Sequence, residues 1–127
     1  MPRQTMNTDL THLIERLEVF EERWSIRLNA LYAFRASSAG WVTVNGELHP
    51  VDGDSLKEDI HLMLDVYGPS GLLVESNRRP FRRAHFFGFE TFSMSVTQLG
   101  KDCAVSKILL YPKSLISVQT LSWRHSK

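Results

Sequence analysis

From Asp59 to Tyr67 every second residue is apolar: Ile60, Leu62, Leu64 and Val66 share one parity, and Asp59, His61, Met63, Asp65 and Tyr67 the other. A pleated strand sends successive side chains to opposite faces, so a period of two describes a strand with one buried face. Gly68, Pro69, Ser70 and Gly71 follow. Proline presets φ and glycine supplies positive φ, which predicts a tight hairpin into a second strand from Leu72 to Glu75. A lone hairpin cannot bury its own apolar face, so a chain containing this one must supply more strands.

It does so on both sides. Trp41 to Leu48 is a β-branched run with Val42 and Val44 opposite Trp41 and Thr43, preceded by the small-residue break Ser37, Ser38, Ala39 and Gly40. His49 to Leu56 gathers Pro50, Asp52, Gly53, Asp54 and Ser55 and reads as a loop. Asn77 to Arg83 reads as a connection, because Pro80 denies a ladder hydrogen bond. Phe87 and Phe89 lie on one parity but Phe92, Met94 and Val96 on the other, so the backbone must break near Gly88 and a strand must start around Glu90. Gly100, Lys101 and Asp102 predict a turn. Val105 to Tyr111 reads as a central strand stopped by Pro112, and Leu115 to Trp123 as a last strand.

The N-terminal segment has a different period. Asn7, Thr8 and Asp9 are helix-capping residues ahead of Leu10, Leu13, Ile14, Leu17, Phe20 and Trp24, spaced by threes and fours. This predicts an amphipathic helix over residues 8–26, with Glu15, Arg16, Glu18, Glu21, Glu22 and Arg23 as its solvated face. Ile26 to Phe34 then fits a strand, although Leu28 and Leu31 also extend the helical stripe.

The totals suit one domain over residues 1–127, with a 30–123 sandwich: 15 basic residues against 14 acidic leave a net charge of +1, so no global field steers the chain to nucleic acid or an anionic membrane. Cys103 is the single cysteine, which removes a disulfide framework and suits a reducing, cytoplasmic setting. The first residues carry charges where a secretory leader needs an apolar run, and no segment has the length and apolarity of a membrane span.

Val42–Leu48 (VTVNGEL), Asp59–Val74 with its YGPSG turn, and Gly88–Val96 (GFETFSMSV) together resemble the bacterial immunoglobulin-like modules of the FxLYD type, with Gly68 where that pattern has Asp. The resemblance covers about half the chain and leaves out the N-terminal helix. It implies an immunoglobulin-like fold, no catalysis and an extracytoplasmic location.

Residues able to carry chemistry are scattered. Asp52, Asp54, Glu58 and Asp59 lack the spacing of a calcium loop. His12, His49, His61, His85 and His125 show no metal-ligand spacing, so no metal or cofactor is expected. His61 shares an outward face with Asp59 and Asp65, which a wet sheet face explains by cross-strand charge pairing. Phe81, Phe86, Phe87, Phe89 and Phe92, interleaved with Arg82, Arg83 and His85, could stack nucleic-acid bases. The plainer expectation is that Phe87, Phe89 and Phe92 close one end of the sandwich and leave Phe81 and Phe86 exposed.

The expected fold is therefore an all-β, immunoglobulin-like antiparallel β-sandwich of about seven strands with one N-terminal helix. The expected function is non-catalytic binding or assembly, with a protein partner or self-association as a homodimer through Leu13, Leu17, Phe20 and Trp24. Arg78, Arg79, Arg82 and Arg83 form a second candidate, an anion site open to an acidic protein or nucleic acid, unless they pair with Glu75 or Glu90. The alternatives are a small-molecule or carbohydrate pocket near Trp41 and Tyr67, and an enzyme assembled from separate strands.

Overall fold

A computed structural model describes residues 7–36, 40–100 and 102–115. The strands are β1 (Thr8–Asp9), β2 (Ile14–Arg16), β3 (Ile26–Arg35), β4 (Val42–Pro50), β5 (Ile60–Tyr67), β6 (Leu73–Phe81), β7 (Glu90–Val96) and β8 (Lys107–Ser114), and the helix α1 spans Glu18–Arg23. They form two four-stranded sheets, ordered β1-β3-β4-β7 and β2-β8-β5-β6. Every ladder is antiparallel except β2 on β8, which is parallel. The class is an all-β sandwich-like domain with one short helix.

Alternation builds the core. Val42, Val44 and Leu48 of β4 and Phe92, Met94 and Val96 of β7 face Ile60, Leu62, Leu64 and Val66 of β5 and Ile108 and Leu110 of β8 in one buried cluster. Leu64 is fully enclosed. At one sandwich edge the inward residues of β6 reach across to β7 and the residues just after it: Glu75 accepts from Gln98 N (3.0 Å), Asn77 Nδ2 donates to Ser95 O (2.7 Å), and Arg79 meets Glu90 (3.8 Å). A polar seam thus closes the gap where two edge strands would otherwise be open.

The long N-terminal helix is corrected. Its residues are divided between β1, a 3-10 turn at Thr11–Leu13, β2 and a helix of six residues. Leu10 N donates to Ala33 O at 2.8 Å, and β2 lies in register with Ile108 to Leu110. Helices this short are marginal by themselves, so tertiary pairing of the first residues with both sheets overrides their helical period. Asp9 lies in β1 and is not a helix cap: Leu10 precedes the 3-10 turn with no side-chain cap, while Asp9 Oδ1 accepts from Thr11 N at 2.8 Å, and hydrogen bonding to the Thr11 side chain and then its backbone lowers the Asp9 pKa. Glu21, expected in solvent, is buried, where its carboxylate takes two 2.9 Å bonds from Arg16 and one of 3.3 Å from Leu28 N.

Two prolines also sit where strands continue. Asn77 to Phe81 extends β6 instead of forming a connection, because among the described residues β6 is an edge strand paired with β5 alone, and an edge tolerates a residue with no N–H. β8 passes through Pro112, at a point where its other neighbour, β2, has already ended opposite Leu110. The last predicted strand, Leu115 to Trp123, falls beyond the described residues after Leu115.

Phase changes occur at two backbone devices. In β3, Ala30 adopts φ +54° and the register slips between Asn29 and Tyr32, so Ile26 and Leu28 point inward before it and Ala33 after it. Gly46 lies opposite this bulge; a Cβ there would stand 2.6 Å from Leu31 Cδ2 and 2.7 Å from Phe92 Cζ. The break near Gly88 is a positive φ of +78°, with Gly88 N donating to Asp54 O at 2.8 Å. The expected roles are reversed for Phe81, Phe86, Phe87 and Phe89, and kept for Phe92. Phe81, Phe86 and Phe92 are buried, the first two edge-to-face at 6.2 Å, while Phe87 is 79% and Phe89 50% exposed.

Candidate functional site

The outer face of the second sheet collects the polar groups that the core cannot use. β5 presents His61, Met63 and Asp65; the register sets Pro80 of β6 and Lys113 of β8 opposite His61, and Arg78 and Tyr111 opposite Met63. Arg78, Pro80 and Arg82 therefore follow one another at intervals of two along the outward parity of β6 and its continuation. Proline, between two arginines, puts no long side chain over His61.

His61 is only 9% exposed, its Nδ1 is enclosed and has no hydrogen-bond partner among the described residues. Burial lowers its pKa, and the charges of Arg78, Arg82 and Lys113 lower it further, so the imidazole is neutral at neutral pH. The two carboxylates on its parity are committed elsewhere. Asp65 accepts from Ser76 Oγ (2.7 Å) and Tyr111 Oη (2.8 Å). Asp59 accepts from Arg83 N (2.8 Å) and stands 3.7 Å from Arg82. Among the described residues His61 has no carboxylate partner, and no acid lies within ion-pair reach of Arg78 or Lys113.

The four arginines are not one patch. Arg78 and Arg82 share the outer face; Arg79 turns inward to Glu90 and lies over the Phe81 ring at 4.9 Å; Arg83 lines a depression with Asp52, Ser55 and Lys57. Lys113 joins the first two from another strand. The sequence does not signal it, because Pro112 reads as the end of that strand.

Beyond Lys113 the face runs into a cleft of about 400 Å³ between α1 and β8, lined by Phe20, Arg23, Trp24, Tyr111 and Lys113. Two residues of the predicted partner-binding stripe, Phe20 and Trp24, are thus its wall. Leu13 and Trp24 also pack on the core, Phe20 meets Tyr111 edge-to-face at 5.8 Å, and Leu17 is half-buried ahead of α1. Trp41, 47% exposed, stands just before β4 of the first sheet, while Tyr67 lies under Lys107 on the second (4.7 Å). None of the described pockets joins them.

Among the described residues no three His, Cys, Asp or Glu side chains gather as a metal site, and no helix is long and apolar enough to cross a membrane. Cys103 is a half-buried neighbour of the core. No family model, curated protein or solved structure matches the chain.

Proposed function

We propose that the protein is a non-catalytic binding module whose ligand is an acidic segment of a partner protein, held along the outer face of the second sheet. The observation that carries this reading is the pair Arg78 and Lys113, cations on two strands of one face with no acid beside either among the described residues. Unpaired cations beside an apolar-walled cleft suit a segment that has carboxylates with an apolar residue next to them. Tyr67 of the face lies under Lys107, so the strands themselves present no row of open rings for nucleic-acid bases. The resemblance to non-enzymatic immunoglobulin-like modules agrees with it.

Fluorescence anisotropy with a labelled Asp/Glu-rich peptide carrying one leucine, against a Lys-rich control, tests the reading. Binding of the acidic peptide should weaken steeply with salt. It should be lost in Arg78→Ser/Lys113→Ser and reduced in Phe20→Ala. Equal affinity for both peptides, or no effect of the double substitution, removes this face from any functional account.

A further inference from the structure

Resting on that reading, we infer that the position over His61 is a discrete site for a tetrahedral oxyanion of the phosphate class, bounded by Arg78, Arg82 and Lys113. The register sets Lys113 and Pro80 opposite His61, with Arg78 two positions before Pro80 and Arg82 two after it, so three cationic residues flank one point of the sheet and the residue directly opposite on β6 carries no long side chain. A carboxylate offers one charge and two oxygens. A phosphate monoester offers roughly one and a half to two charges and three acceptor oxygens, the better match for three cationic residues on one face. The buried imidazole supplies the second, independent mark of a ligand: a ring nine-tenths enclosed, with neither nitrogen hydrogen-bonded among the described residues, is an unmet polar group that an oxygen reaching its open edge would satisfy.

The groups facing His61 are Asp59 and Asp65 on its own strand, Arg78 and Arg82 from β6, and Lys113 and Tyr111 from β8. Asp65 is hydrogen-bonded to Ser76 and Tyr111 and Asp59 is drawn to Arg82 and the Arg83 amide, while Arg78, Arg82 and Lys113 are the charges that act on the ring. A bound dianion cancels that field and lets His61 take up a proton. Affinity should therefore rise as pH falls, over the range between the lowered pKa of the free ring and its higher value in the complex.

Sulfate is the probe, because it has the same shape and does not itself titrate near neutrality. NMR and calorimetric titration of the full chain should show saturable binding at one site. Affinity should strengthen several-fold from about pH 7.5 to about pH 5.5. Lys113→Ser or Arg78→Ser should weaken it by roughly tenfold, the cost of a lost charge-assisted bond. His61→Asn should flatten the pH dependence, and Asp59→Asn, by releasing Arg82, should tighten binding. A phosphoserine peptide tested against its glutamate counterpart separates a protein-borne phosphate from the free ion: tighter binding of the first places the site on a partner, and equal binding to sulfate alone places it with free anion. Acidic-peptide binding with no sulfate or phosphopeptide preference would overturn the oxyanion site while leaving the broader reading intact. Loss of both would overturn both, and a pH-independent sulfate affinity would remove His61 from the site.

Discussion

Tyr111 Oη donates a 2.8 Å hydrogen bond to Asp65 Oδ2 from the diagonal position across the β8–β5 ladder, where Tyr111 is directly opposite Met63 and Asp65 opposite Leu109. Burial first, and then the bond to Asp65 and its charge, raise the phenol's pKa above its ordinary value of 10.0. A raised folded pKa means stability that is fully present below the unfolded value and lost as pH rises past it. The denaturation midpoint should thus fall above about pH 10 more steeply in the native protein than in Tyr111→Phe. Parallel midpoint curves for the two proteins would show that this hydroxyl is not titrating as described.

The buried Glu21 depends on Arg16. Arg16→Ala leaves its carboxylate with one described donor, Leu28 N at 3.3 Å, and should cost about 2 kcal/mol in chemical denaturation. Removing residues 1–24 takes away β1, β2 and this pair together. The truncated chain should be unfolded by circular dichroism, and a cooperative transition in it would show that the N-terminal pairings are peripheral.

Gly46 lets the β3 bulge and Phe92 close over β4. Gly46→Ala should destabilise by about 1–3 kcal/mol through overpacking, and Leu31→Val in the same chain should recover part of that loss. An unchanged midpoint would mean that Leu31 and Phe92 have room to retreat.

Arg35 joins two loops at the opposite end of the sandwich, donating to Gly40 O (3.1 Å), Gly100 O (2.9 Å) and Cys103 O. Lysine keeps the charge but not the fork. Arg35→Lys should cost about 1–2 kcal/mol, with amide exchange accelerated in residues 97–106 ahead of the strands. Uniform exchange throughout would argue against this linking role.

What the sequence could determine was whatever depends on neighbours along the chain. Alternation at Asp59–Tyr67 and Val42–Leu48, the Gly68–Gly71 turn and the break at Gly88 are local properties of a pleated backbone, and each lies where its residues predict. The tertiary structure decided the matters that depend on a partner elsewhere in the chain. Leu10, Leu13 and Ile14 have a helical period, yet the core and the ladders to β3 and β8 claim them, because burial and long-range pairing outweigh the weak stability of a short isolated helix. Pro80 and Pro112 looked like stops because a proline's cost depends on whether a neighbour needs its N–H, which is set by sheet order. The candidate site has the same origin. The arginine-rich stretch was visible, but inward and outward parity separated Arg78 and Arg82 from Arg79, and antiparallel pairing brought Lys113, thirty-five positions from Arg78, to the same side of His61.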